Sequence, residues 1–166
     1  MTDAIEVFLD QHHHQAAVDL QAWAPAAMQP FAHSRDDDHG RQQARQAIQA
    51  MGRAGWLSCL IPAGQAAGPR DCRTLCLFRE AVAGISPLAD ALYAVQGLAC
   101  IPLALEGSPQ QQERWLPAAA AGQLVGAFAM TEPEAGSDVA NVQTIGTEAG
   151  DHFLLNGTKW LISNAG

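Results

Sequence analysis

The hydrophobic period of this chain changes once, at Gln123, and that change limits the folds open to it. Upstream, apolar residues recur at three- and four-residue spacing, the mark of helices packed on one face. Downstream they come in short runs separated by Gly-Asp and Asn-Gly, the mark of strands joined by turns. Helices followed by strands, rather than alternating with them, predict an α+β arrangement. Residues 1–122 are expected to form an all-α N-terminal domain, and residues 123–166 the first strands of a β-barrel-like domain, truncated at the chain's end.

Within the first part, Asp3 to about Met28 carries Ile5, Leu9, Ala16, Leu20 and Trp23 at helical spacing, with Pro25 and Pro30 fraying or ending the helix. Asp36-Asp37-Asp38-His39-Gly40 is a charged break able to cap a helix over Gln42–Ala54, and Gly55 is placed to stop it. Pro62–Arg70 reads as loop. Asp71 can cap a helix carrying Leu75, Phe78, Val82 and Ile85, closed by Ser86-Pro87. Leu88–Glu106 is apolar nearly all round, which implies a helix buried between others, bent near Gly97 and Pro102. Ser108-Pro109-Gln110-Gln111 is a capping box opening a helix that ends at Gly122. Beyond it, Leu124–Met130, Val142–Glu148, His152–Leu155 and Lys159–Ser163 are predicted strands, with Asn156-Gly157 as a hairpin turn.

A chain of 166 residues, 48 % hydrophobic and 16 % charged, can bury a real core. Its net charge of −8 argues against nucleic acid or an anionic membrane as partner, and leaves any phosphate site to backbone amides. Cys59, Cys72, Cys76 and Cys100 read as buried free thiols in a reducing cytoplasm, since no His or Cys completes a metal pattern around them. His12-His13-His14 cannot converge on an ion without partners and reads as a solvated helix face, so no metal is expected. The first residues lack a signal-peptide pattern, and no apolar run is expected to span a membrane.

The segment Ala127-Phe-Ala-Met-Thr-Glu-Pro-Glu-Ala-Gly-Ser-Asp138 carries the chemistry. Pro133 ends regular strand pairing, and Gly136 lets a ligand approach the main chain. The Gly136 and Ser137 amides and the Ser137 hydroxyl can bond a phosphate oxygen without a lysine. A plain strand-to-turn transition, with Ser137 and Asp138 satisfying their own backbone, fits the same pattern. Glu132 and Asp138 are poor catalytic bases here: a carboxylate beside such a turn accepts backbone N–H bonds or pairs with a cation.

Two motifs, Thr131-Glu-Pro-Glu-Ala-Gly-Ser-Asp138 and Leu155-Asn-Gly-Thr-Lys-Trp-Leu-Ile-Ser-Asn164, preceded by Glu113-Arg-Trp-Leu-Pro117, resemble the acyl-CoA dehydrogenase family. The resemblance is dense from Ile101 onward. It implies FAD as cofactor and α,β-dehydrogenation of an acyl-CoA thioester, with a carboxylate taking the α-proton and hydride passing to flavin N5. It further implies that Phe128, Met130, Thr131, Gly136 and Ser137 form the first flavin-contacting segment, with Ser137 also near the CoA, and that Leu161, Ile162 and Ser163 form the second. The family's aromatic at position 161 is replaced by Leu161, and Trp160, one residue earlier in a strand, would face the other way. Ile61-Pro62 is kept from a family loop whose remainder is lost, and Glu134 stands where a glycine is common. No position matches the family's catalytic base. The chain is therefore expected to be a fragment, inactive alone. An electron-transfer flavoprotein partner and homo-oligomer formation are implied only for the full-length enzyme. A non-catalytic helical module that binds an acyl-CoA or a partner protein is the alternative.

Overall fold

Four side-chain oxygens set where helices begin. In the computed structural model, which describes residues 3–61 and 71–165, the main-chain N–H groups of His39, Arg73, Ala89 and Gln111 donate to Asp36, Asp71, Ser86 and Ser108 at 2.8, 3.1, 3.1 and 3.3 Å. These caps open α2 (Asp37–Arg53), α4 (Cys72–Ala83), α5 (Pro87–Glu106) and α6 (Pro109–Ala120). The α2 helix starts well before the expected Gln42, because Asp36 caps it and Asp37 and Asp38 complement the positive end of its dipole. It stops where anticipated: Gly55 takes a left-handed conformation (φ 82°) and hands over to a short α3 (Trp56–Leu60) that the sequence pattern did not suggest. The loop expected over Pro62–Arg70 lies outside the described residues.

The N-terminal helix departs from expectation more instructively. A 3-10 turn covers Asp3–Phe8, and α1 runs over Gln11–Met28 with Pro25 inside it. The break at Leu9-Asp10 is made by His13, whose Nδ1 accepts the Asp10 N–H at 2.9 Å. His13 is fully buried rather than solvated.

Packing follows from the helical stripes. Helix α1 lies against α4, α4 against α5, and α5 against α2 and α6. Phe78 and Tyr93 stack with ring centres 4.0 Å apart, and Trp23 and Trp56 close on Phe78 from about 6 Å. Leu20, Met28, Ile48, Met51, Leu57, Val82 and Leu116 complete a core in which each large apolar side chain is worth about 1.5–3 kcal/mol. Helices α2 and α6 meet backbone to backbone: a Cβ on Gly52 would fall 2.3 Å from the Ala121 carbonyl. Two expectations fail here. Helix α5 buries one side only, leaving Leu98 and Leu105 exposed, and its length and mean hydropathy of 1.6 do suffice to cross a membrane. Of the four free thiols only Cys100 is buried; Cys59, Cys72 and Cys76 sit on outward helix positions.

Two compact units divide the chain, Met1–Gly126 and Ala127–Gly166. Leu124–Met130 is not a strand, because no strand is offered to it. Instead the buried Gln96 side chain donates to the Leu124 carbonyl (2.9 Å) and accepts the Gly126 N–H (2.7 Å), doing for the main chain what a neighbouring strand would. In the second unit β1 (Ile145–Ala149) pairs antiparallel with β2 (His152–Asn156), from Ile145 opposite Asn156 to Ala149 opposite His152. The hairpin turn is Gly150-Asp151, with Gly150 at φ 72°. Asn156-Gly157 closes no hairpin, since Lys159–Ser163 is not a strand either. The strand predicted from Val142 starts only at Ile145, because the amides of Gln143 and Thr144 are committed elsewhere.

Candidate functional site

The Thr131–Asp138 motif folds as a tight reversal. Glu132 and Ala135 exchange both main-chain hydrogen bonds (3.0 and 3.1 Å) around Pro133-Glu134, and Ala135 is buried beneath. Met130 and Thr131 enter this turn; Gly136 and Ser137 leave it. The second motif is bound directly to the entering arm: Lys159 Nζ donates to the Met130 carbonyl at 3.0 Å, and the Trp160 N–H to the Thr131 carbonyl at 2.9 Å.

Glu132 joins these parts. Its side chain is 3 % exposed. Oε2 accepts the Gln143 N–H at 2.6 Å, while Oε1 accepts the Thr144 N–H at 3.0 Å, the Thr144 hydroxyl, and Lys159 Nζ at 2.8 Å. The Lys159 bond foremost, then those of Thr144 and Gln143, hold the carboxyl at about 2, below its ordinary 4.5. A carboxylate held this firmly in its ionised form is a weak base.

What the turn leaves over is donors. Among the described residues, no hydrogen bond engages the N–H of Met130, Thr131, Gly136 or Ser137, or the hydroxyls of Thr131, Ser137 and Ser163. Gly136 has no protein atom within 4 Å of where a Cβ would stand, and its φ is not positive. Neither packing nor backbone geometry asks for glycine there.

Residues 10–123 match the model of the acyl-CoA dehydrogenase N-terminal domain, and residues 127–166 that of the middle domain. The chain belongs to the acyl-CoA dehydrogenase family. A probable acyl-CoA dehydrogenase, fadE25 of Mycobacterium bovis, is 31 % identical over 158 residues, covering 95 % of this chain and 40 % of the relative. The crystal structure of glutaryl-CoA dehydrogenase from Mycobacterium smegmatis superposes with a TM-score of 0.79 at 25 % identity, over 96 % of this chain and 41 % of that one. A glutaryl-CoA dehydrogenase from the same organism, in complex with FADH2, shares the fold at TM-score 0.78 and 24 % identity, over 98 % and 43 %. The chain thus spans about 40 % of the length of the curated relatives it matches.

Set against that family, the motif residues are brought together in part. Met130, Thr131 and the Lys159-Trp160 main chain are adjacent, and Phe128, Met130, Gly136, Ser137, Leu161 and Ser163 are exposed. Ile162 is half-buried. Leu161 is not on a strand: it is left-handed (φ 53°) and 82 % exposed, so strand alternation does not set Trp160 and Leu161 on opposite faces. Glu134 points to water, as a residue replacing glycine must. Asp138 is exposed, and its carboxylate takes no partner among the described residues. Lys159 and Thr144 went unrecognised in the sequence, because they lie 27 and 12 residues from the carboxylate they serve.

Among the described residues, one other cluster has metal-ligand chemistry. Ligand atoms of Asp10, His12 and His13 lie within 4.8 Å of one another. His13 Nδ1, however, accepts the Asp10 N–H, which places its proton on Nε2, and Nε2 meets Asp71 Oδ2 at 2.5 Å. Neither nitrogen keeps a lone pair for an ion. The cluster instead ties the start of α1 to the start of α4. Burial pushes the Asp71 carboxyl up, but bonds from His12, His13, Thr74 and the Arg73 N–H outweigh it and leave it well below 3.8.

Proposed function

We propose that this chain is the N-terminal portion of an FAD-dependent acyl-CoA dehydrogenase, supplying part of the flavin and CoA cradle and none of the base. The observation that supports this most is the pairing of two distant motifs by main-chain bonds at Met130 and Thr131, with unspent donors on either side of a turn and open space over Gly136. The donor set suits FAD. Gly136 and Ser137 offer amides and a hydroxyl to a diphosphate without a cation. Met130 and Thr131 offer amide and hydroxyl to the ring, with Phe128, Leu161, Ile162 and Ser163 completing the ring's surroundings. Ser137 also serves the CoA side. When bound, FAD would accept the hydride in this chemistry; the residues present here would hold and orient it. The acyl-CoA substrate, an electron-transfer flavoprotein as acceptor and a homo-oligomeric state belong to the whole enzyme.

The test is direct. This chain continued to the length of its curated relatives, produced with excess FAD, is expected to purify yellow and to oxidise an acyl-CoA. The 166-residue chain alone is expected to show no turnover. A colourless extended protein, or steady-state oxidation by the short chain, refutes the reading.

A further inference from the structure

We propose that Glu132 is a positioning residue for the flavin, setting the separation between the Met130-Thr131 arm and the segment running from Lys159 to Ser163. This rests on the FAD-cradle reading above and adds a residue that touches no cofactor.

Two separate stretches of chain end on one buried carboxylate. Gln143 and Thr144 bring consecutive amides, Thr144 adds its hydroxyl, and Lys159 adds its ammonium. The same Lys159 ammonium bridges onward to the Met130 carbonyl, so carboxylate, ammonium and carbonyl form one chain of contacts behind the donors of the arm. Trp160, next in sequence, then binds the Thr131 carbonyl. Moving the carboxylate moves Lys159, and with it both the Met130 carbonyl and the entry to Leu161–Ser163.

The donor pattern also dictates charge. Every group facing Glu132 is a donor. A glutamine has the same shape, but either orientation of its amide sets an NH2 against an N–H: Gln143 on one side, or Thr144 and Lys159 on the other. Nor does a shorter aspartate span the same gap. The site accepts a glutamate carboxylate and no near relative of it.

FAD is titrated into the chain continued to the length of its curated relatives and followed by flavin fluorescence, for wild type, Glu132→Gln, Lys159→Met and Lys159→Arg. Amide exchange over the β1–β2 hairpin reports whether the second unit is still folded. Expected are at least a tenfold loss of FAD affinity in Glu132→Gln and a three- to tenfold loss in Lys159→Met with hairpin protection kept. Lys159→Arg, which retains a cation within reach, should restore most of the affinity. Lys159→Met keeps the test decisive if Glu132→Gln unfolds the unit, because the carboxylate stays in its nest of amides. Wild-type affinity in a folded Lys159→Met variant overturns the positioning role alone. Failure of the wild-type extended protein to bind FAD overturns the cradle reading beneath it, and the role with it.

Discussion

Replacing Gln96 by leucine should loosen the last residues of the helical unit at a cost that can be worked out bond by bond. Gln96 is completely buried on α5. Its Nε2 donates to the carbonyls of Ala119 (3.2 Å) and Leu124 (2.9 Å), and its Oε1 accepts the Gly126 N–H (2.7 Å). Leucine fills nearly the same volume, so the cavity contribution is small and the loss is polar. The Ala119 carbonyl retains the Gly122 N–H (3.1 Å), and Leu124 is exposed enough for water to reach its carbonyl. At about 0.5–1.5 kcal/mol for each net hydrogen bond, partly recovered by hydration, the expected loss is about 2–3 kcal/mol. For a unit of this size that lowers Tm by roughly 6–15 °C. Urea unfolding followed by far-UV circular dichroism measures the first figure, and amide exchange at Gly126 shows whether the loss is local. A change below about 0.5 kcal/mol with Gly126 protection intact would refute the claim that one side chain replaces a strand partner here.

Other expectations follow from the same geometry. The Glu132 carboxyl titrates lower folded than unfolded, so its stabilising contribution is complete above about 4.5 and disappears as pH falls through about 2; protection of the Gln143 and Thr144 amides relative to their intrinsic exchange rates should fall over that window, and unchanged protection would contradict it. His13→Ala should cost about 2–4 kcal/mol through the lost α1 start and Asp71 bond, while the exposed His14→Ala stays within about 0.5 kcal/mol; equal effects in urea unfolding would restore the solvated-face reading. Gly136→Val should leave stability nearly unchanged, having no protein atom to strike, yet weaken FAD binding; Gly157→Ala should cost stability, because its Cβ would meet the Thr144 hydroxyl at 2.2 Å. With a thiol-reactive dye, Cys72 and Cys76 should react first, and Cys100, buried and with its thiol pushed up by that burial, last.

The helical part was legible because its signals are local. Asp71, Ser86 and Ser108 cap the helices they precede, and Gly55 and Gly122 end helices in left-handed conformations that their missing Cβ permits. Where a boundary moved, a side chain three residues away had claimed the main chain, as His13 does at Asp10 and Asp36 does at His39. The later segments were misread for the opposite reason. A strand exists only with a partner, and composition does not name one. Leu124–Met130 has apolar content enough for a strand, but Gln96 holds its start; Lys159–Ser163 has it too, but Lys159 and Trp160 bind the Met130-Thr131 arm in a turn-rich path. The motif residues themselves could be picked out as site candidates because glycine, proline and small hydroxyls have few structural uses in that order. Their arrangement could not, since it depends on a carboxylate and an ammonium 27 residues apart.

The two units are held by different physics, and this predicts the order in which they unfold. Every buried apolar side chain among the described residues lies before Gly126 except Ala135. The second unit keeps Phe153, Leu154, Leu155, Trp160 and Leu161 exposed and buries one carboxylate and one methyl group. A two-stranded hairpin is marginal in water without a packed face, so the Glu132 bonds carry a share of cohesion that hydrophobic burial supplies elsewhere. Hydrophobic burial is almost insensitive to acid, whereas a carboxylate network is lost on protonation. Acid should therefore release Ala127–Gly166 while the helices persist, giving loss of Gln143 and Thr144 protection before loss of helical ellipticity. Simultaneous loss of both signals on acidification would mean that the second unit draws its stability from something other than its one buried charge.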